Sequence, residues 1–277
     1  MSLYRAMDRR TLDAAYNNSA AVVDSEDYIA DWQDRSAALR ARMPAHLDLA
    51  YADKRTTRLD FFSCGLPAAP TLLFFHGGYW QRNTKEGFAF VAEGPLAHGF
   101  HVAVVGYTLA PQARLDTIVS EARTAMRWLH GEIAGLGGDP AGLFVSGWSA
   151  GGHLAAMMMS EPAASGGIAI SGLYDIEPIR LSYLNEKLRL DGEEARRNSP
   201  LFHLPAQAGK LIVAVGALEL PELRRQSADF AAAWCEHGLP CELRELPGCH
   251  HYAALEELAR PQGALAQALE KVALPVG

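Results

Sequence analysis

The sequence has no run of 18 apolar residues, no C-x-x-C pair and no stripe rich in lysine and arginine, and each absence removes a class of protein. Without a long apolar run, no membrane-spanning helix is expected. The opening residues Met1-Ser2-Leu3-Tyr4-Arg5-Ala6-Met7-Asp8 are charged and lack the apolar centre of a secretory signal, so the expectation is a soluble, cytoplasmic protein with no membrane partner. Cys64, Cys235, Cys241 and Cys249 show no metal-ligand spacing and read as reduced thiols, with no metal site implied. A formal charge of −7, from 25 Lys+Arg against 32 Asp+Glu, argues against nucleic acid as a partner. Internal repeats and low-complexity linkers are also missing, and 277 residues suffice for one large domain but not for two ordinary enzymes.

What the chain does contain is a regular alternation. Residues 8–42 read as helical, with Asn17-Asn18-Ser19 as a break and Asp24 or Ser25 as an N-cap before Tyr28, Ile29 and Trp32. Residues 46–51 and 57–62 alternate apolar and polar, as edge strands do. A buried strand over 71–75, a helix over 85–99, a strand over 102–105 and a helix over 115–134 follow. The strand 143–146, a small-residue helix over 152–158 and the strand 167–170 continue the series. The strand 211–215, a helix over 222–237, the strand 241–246 and carboxy-terminal helices complete it. Strands alternating with helices of this length imply right-handed crossovers and an α/β fold, a mostly parallel central sheet with helices on both faces.

Two short motifs sit at strand ends in that pattern. Gly147-Trp148-Ser149-Ala150-Gly151 falls where the strand stops and the small-residue helix begins, the strand-turn-helix setting of a G-x-S-x-G nucleophile elbow. A serine in this turn takes a strained backbone conformation, which pushes Ser149 out toward solvent at the tip of the sheet. The buried run Thr71-Leu72-Leu73-Phe74-Phe75 leads directly into His76-Gly77-Gly78-Tyr79-Trp80. A tetrahedral intermediate carries a full negative charge, so amides must already point at that position before attack. The expected donors are the amides of Gly78 and Tyr79, with Gly77 as a substitute, and the amide of Ala150 after the serine.

The acid and base of a serine triad belong on loops at the carboxyl ends of late strands, in the chain order Ser, acid, His. Gly216-Ala217-Leu218-Glu219-Leu220-Pro221-Glu222 follows one such strand, and Pro247-Gly248-Cys249-His250-His251-Tyr252 follows the next. Glu219 is preferred because it lies nearer the strand end, whereas Glu222 opens a helix and already complements its dipole. His251 directly precedes Tyr252 and a helical run, so it is the candidate base, with His250 as a competitor that orients the loop. His76 is expected to hydrogen-bond within its own loop, and His153 to pack on the elbow helix. Tyr79, Trp80, Trp148, Tyr174 and Tyr252 are the candidate substrate-binding aromatics, with core filling as the competing role for Trp148 and Tyr174.

His76-Gly77-Gly78-Tyr79-Trp80-Gln81, the elbow, Leu218-Glu219-Leu220-Pro221-Glu222 with Arg225-Gln226-Ser227, and Leu12-Asp13-Ala14-Ala15-Tyr16-Asn17-Asn18 together resemble the kynurenine formamidases, or arylformamidases, of the α/β-hydrolase fold. His-Gly-Gly and Tyr107-Thr108-Leu109-Ala110-Pro111 are also similar to the hormone-sensitive-lipase-like esterases, while Tyr79-Trp80 favours the formamidases. The resemblance implies one α/β-hydrolase domain over 1–277, with an amino-terminal helical segment over about 1–45 and a short cap over about 173–205. It implies hydrolysis of an aryl formamide such as N-formylkynurenine to formate and an arylamine, with aryl-ester activity. Ser149 would be nucleophile, His251 base and Glu219 acid, and no cofactor is called for. Formamidases often carry Asp at the acid position, and Glu219 departs from that pattern.

Two alternatives stand beside this reading: a carboxylesterase or amidase acting on other small esters, amides or carbamates, and a catalytically silent hydrolase fold that binds a ligand. The expected partner is a small aromatic molecule. The sequence leaves a homodimer open. Arg196 and Arg197, in a charged run, are assigned to a solvated face.

Overall fold

A computed structural model describes residues 3–43 and 45–273. Eight strands form one sheet: β1 (Ala45–Ala50), β2 (Arg58–Phe62), β3 (Ala69–Phe75), β4 (His101–Val105), β5 (Gly138–Trp148), β6 (Gly166–Ile170), β7 (Lys210–Gly216) and β8 (Cys241–Leu246). Their order is β1-β2-β4-β3-β5-β6-β7-β8. β1 and β2 are antiparallel to their neighbours, and every pairing from β4 through β8 is parallel.

The central strands are apolar throughout because helices cover both faces. Successive residues point to opposite sides, so Leu73, Phe75, Val145 and Val213 enter one core while Leu72, Phe74, Phe144 and Ile212 enter the other. The helices Leu115–Glu132 and Ala150–Met158 close the first core. The helices His251–Ala259 and Ala264–Ala273 close the second.

Two local expectations are corrected. β2 is not an edge strand, since it lies between β1 and β4, and its polar Asp60 is fully buried. That carboxylate is held by Lys85 at 2.8 Å and by Arg40, which explains how a charge sits inside a sheet. The helix expected over 85–99 is a 3-10 segment, Lys85–Ala92, running into a short α-helix, Glu93–Ala97.

The amino-terminal arm folds as three helices, Arg9–Ala15, Asn18–Ala21 and Ser25–Arg42, and Asn17 accepts from the amide of Ala20 to cap the middle one. Trp32 of the long helix stacks on Phe90 with ring centroids 5.0 Å apart, anchoring the arm to the 3-10 segment. After β6 come the short helices Glu177–Leu181, Asn185–Leu188 and Gly192–Arg197, in the segment expected as a cap. Arm and cap meet where the amide of Tyr183 donates to Asp13 at 2.8 Å. Arg197 pairs with Asp116 at 2.6 Å, which ties the cap to the helix Leu115–Glu132.

Replacing Asp60 with Ala strands Lys85 and Arg40 beside an empty space. Lys85 keeps Asp48 and Glu86 as partners, so the loss sits at the lower end of that for a broken buried pair, about 3 kcal/mol. A urea unfolding midpoint within error of wild type would contradict this account.

Candidate active site

β5 ends at Trp148, and Ser149 takes φ 59° and ψ −118° before the helix Ala150–Met158 begins. Such a conformation is strained for a residue with a Cβ and persists only where its surroundings enforce it. Here the amide of Ser149 donates to the carbonyl of Ile170 at 2.8 Å, and the helix pulls in so close that a Cβ on Gly151 would overlap the carbonyl of Phe75. Ser149 stands at the tip of the sheet but not in open solvent. It is only 3% exposed, because the amino-terminal arm roofs the edge that a bare sheet would leave open.

Glu219 and His251 come together from the loops after β7 and β8. Nδ1 of His251 lies 2.7 Å from Oε2 of Glu219, whose side chain is wholly buried. The other carboxylate oxygen accepts from the hydroxyl of Ser171 at 2.5 Å and the amide of Gly216 at 2.7 Å. The carboxylate thus occupies Nδ1 with a proton and leaves Nε2 as the acceptor. Trp148 packs against the ring with centroids 4.7 Å apart, and its indole N–H donates to the backbone carbonyl of His251 at 2.8 Å. The competitors have other partners. His250 caps the following helix by accepting from the amide of Ala253 at 3.2 Å, and Glu222 pairs with Arg225 at 2.8 Å and accepts from the Tyr16 hydroxyl.

The loop after β3 turns sharply, with positive φ at Gly78, Tyr79, Trp80 and Asn83. Amides of Gln81 and Arg82 both donate to the carbonyl of Gly78, and the side chain of Asn83 donates to that of Gly77 at 3.1 Å. Among the described residues, none of the amides of Gly77, Gly78, Tyr79 and Ala150 donates to another group of the protein. His76 stacks on Tyr107 at 4.3 Å and its Nδ1 lies 2.9 Å from the Gly77 carbonyl, while Nε2 of His153 lies 2.7 Å from the Asn198 carbonyl. Burial pushes both imidazoles down to about 4.

A cavity of about 510 Å³ opens onto Ser149, His251, Tyr79, Trp148 and Tyr252. Trp80 and Tyr174, the other two candidate aromatics, do not line it. Trp80 is fully buried with its ring edge-on to His153 at 4.9 Å, and Tyr174 stacks on Phe230 at 4.2 Å, so both fill the core. The cavity's opposite wall is the arm, whose individual residues sequence reasoning did not assign to the site. Asn18 Nδ2 lies 3.3 Å from Nε2 of His251 and 3.2 Å from the hydroxyl of Tyr79, and Ser19 bonds Tyr252 at 3.1 Å. Ser171 was missed as well, although its place just past the carboxyl end of β6 was a topological signal. Among the described residues no cluster of three or more His, Cys, Asp and Glu is arranged to hold a metal ion, and no helix is long and apolar enough to cross a membrane.

Kynurenine formamidase of Danio rerio is 30% identical to this chain, over 98% of it and 99% of the fish protein. The chain belongs to the kynurenine formamidase family of α/β-hydrolases. The α/β hydrolase fold family matches residues 72–198. The Salmo salar kynurenine formamidase is 33% identical over 82% of this chain and 81% of its own length. Among solved structures, a Silicibacter sp. TM1040 protein described as a candidate thioesterase superposes with a TM-score of 0.83 at 28% identity, covering 94% of this chain and 98% of that one. As a member of this family the protein is a hydrolase, and a catalytically silent binding fold is set aside.

Two outcomes follow for this hydrolase. Ser171→Ala removes one of three donors to a buried carboxylate, an interaction of about 1.5–3 kcal/mol, so kcat for p-nitrophenyl acetate should fall about tenfold or more with KM little changed. An unchanged kcat would show the hydroxyl to be idle. The second concerns pH. His76 and His153 are held neutral in the fold down to about 4, whereas in the unfolded chain they take protons below about 6.5. The unfolded state therefore binds more protons in that window, and stability falls as pH drops from about 6.5 to about 4, by on the order of 3 kcal/mol per histidine. Urea midpoints measured across this window should decline more gently in His153→Gln; parallel slopes would refute the assignment.

Proposed function

We propose that the protein is a serine hydrolase that cleaves a small aryl formamide of the N-formylkynurenine kind to formate and the arylamine, with aryl-ester activity. One observation carries the mechanism: His251 is clamped by a buried Glu219 at 2.7 Å and shares a cavity with a strained Ser149. The substrate class draws on the named relatives and on the aromatic lining of that cavity, Tyr79, Trp148 and Tyr252.

In this reading the Ser149 hydroxyl attacks the formyl carbon as its proton passes to Nε2 of His251. Glu219 holds the tautomer and stabilises the imidazolium that forms. The negative charge moves onto the former carbonyl oxygen, where the amides of Gly78, Tyr79 and Ala150, with Gly77 in reserve, receive it. The C–N bond then breaks, and His251 returns the proton to the departing arylamine. Water, deprotonated by the same imidazole, attacks the formyl ester and releases formate, restoring the serine. Asn18 has a part in the cycle, because its N–H faces the lone pair that must accept the Ser149 proton. It has to yield that position as the hydroxyl engages.

A second reading, a carboxylesterase or amidase on other small substrates, draws on the similarity to the Silicibacter protein. The two separate on turnover of N-formylkynurenine, p-nitrophenyl acetate and p-nitrophenyl butyrate. The formamidase reading expects the formamide to have the highest kcat/KM; formamide turnover at background with rapid ester cleavage would overturn it in favour of the esterase. Ser149→Ala should lower kcat by about 10⁴-fold or more on every substrate. Retention of wild-type rates would end the serine mechanism.

A further inference from the structure

A second cleft, of about 710 Å³, lies behind the loop that follows β3 and is larger than the catalytic cavity of about 510 Å³. Gly78, Tyr79 and Ser149 border the catalytic cavity, His76 and Thr84 border the second cleft, and Asn83 borders both, so the loop is the partition between them. The turn between β1 and β2 contributes Arg55, and β2 contributes Arg58. The catalytic cycle makes no use of this space.

The charges around the cleft divide into matched and unmatched groups. Lys85 bonds Asp48, Asp60 and Glu86 at 2.7, 2.8 and 2.8 Å, which commits all three of its ammonium hydrogens. Arg58 has no carboxylate partner among the described residues. Its Nη1 is pinned instead by the carbonyls of Ala52, Lys54 and Thr57 at 2.7, 2.8 and 3.0 Å, while Nε and Nη2 bond no group among the described residues. Exposed Arg55 has no side-chain partner among those residues either. A guanidinium held in place by backbone carbonyls keeps its planar fork ready for a carboxylate, so little ordering is needed when one binds.

His76 provides a complementary acceptor. It is 1% exposed and lines this cleft, not the catalytic cavity. Tyr107 donates its hydroxyl hydrogen to the His76 carbonyl at 2.7 Å, so the 2.9 Å contact between Nδ1 and the Gly77 carbonyl places the imidazole proton on Nδ1. Nε2 is then an acceptor. It has no partner among the described residues, and packing does not seal it. Burial pushes this imidazole down to about 4, so the acceptor persists at neutral pH. Tyr107 and Leu109 add apolar lining suited to a flat ring.

We infer that this cleft binds a small aromatic acid bearing an amino or hydroxyl group, its carboxylate pairing with Arg58 and Arg55 and its N–H or O–H donating to Nε2 of His76. Because Nδ1 of the same ring holds the Gly77 carbonyl, an occupant is coupled to the loop that borders Ser149. The site does not depend on which substrate the catalytic cavity takes.

Calorimetric titration of the full chain with 4-aminobenzoate, benzoate and aniline tests the site. 4-Aminobenzoate is expected to bind about fivefold more tightly than benzoate, which lacks the donor, and at least about tenfold more tightly than aniline, which lacks the carboxylate. Arg58→Gln should weaken 4-aminobenzoate about tenfold, the size of a lost charge-assisted hydrogen bond. Arg55→Gln, at an exposed residue with no contact to lose in folding, should weaken it about threefold. Added salt should weaken the two acids and leave aniline unaffected. Equal affinities for 4-aminobenzoate and benzoate would remove His76 from the site and overturn the proposed ligand class. Affinity unchanged in both arginine variants, with KM for p-nitrophenyl acetate raised by the acid, would place the ligand in the catalytic cavity and overturn the cleft. Absence of binding by all three probes at millimolar concentration would overturn it as well. Formamide turnover enters none of these measurements, so the formamidase reading and the second site fail separately.

Discussion

The carboxylate of Glu219 is wholly buried, and a buried charge persists only where donors surround it. Three do so: the Ser171 hydroxyl, the Gly216 amide and the imidazole N–H of His251. They come from the ends of β6, β7 and β8, so one side chain draws three crossover loops to a common point. The parallel sheet makes this convergence available, because every strand from β4 through β8 ends on the same edge. Ser149, delivered by β5 to that edge, needs no long-range tether of its own beyond its bond to Ile170.

Glutamate rather than aspartate at position 219 fits this geometry. The amide of Glu219 donates to the carbonyl of Gly216, closing a turn directly after β7, and the carboxylate bends back to the amide of the same glycine. An aspartate at this position has one methylene fewer with which to satisfy Gly216 and still meet His251. The extra reach is used within the loop itself, so the departure from the family habit is absorbed locally without moving a strand.

Much of the framework was legible because its signals are local in sequence. The elbow, the His-Gly-Gly loop and the runs that became β3, β4, β6, β7 and β8 each carry their information within a handful of residues, and the order Ser149, Glu219, His251 follows from topology. What escaped depends on segments distant in the chain. The alternation of Arg58–Phe62 suits an edge strand, yet Asp60 points at Lys85 and Arg40, which no window around β2 contains. Trp80 sits one residue from the cavity-lining Tyr79, but consecutive positive φ values turn its ring the other way, onto His153. Ser149 was read as exposed because the elbow alone implies it, and the roof that buries it begins more than a hundred residues earlier at Asn18.

That roof has a hydrogen-bond inventory that constrains its chemistry. Tyr79 spends its hydroxyl hydrogen on the carbonyl of Tyr16 at 2.6 Å, so its oxygen can only accept, and the amide nitrogen of Asn18 must face it. His251, with its Nδ1 proton committed to Glu219, presents Nε2 as an acceptor to the same nitrogen. Both hydrogens of the Asn18 amide are thus committed, and its buried oxygen has no partner. An unpaired buried acceptor costs about 1–3 kcal/mol, which makes the resting arrangement around Nε2 a costly one to hold. Proton transfer to Nε2 reverses the polarity at that point: the ring becomes a donor, and the amide nitrogen is no longer a suitable neighbour while the amide oxygen is. The arm that shields Ser149 therefore also occupies the acceptor nitrogen of His251, and in the proposed cycle its amide has to move off Nε2 before the Ser149 proton can pass there.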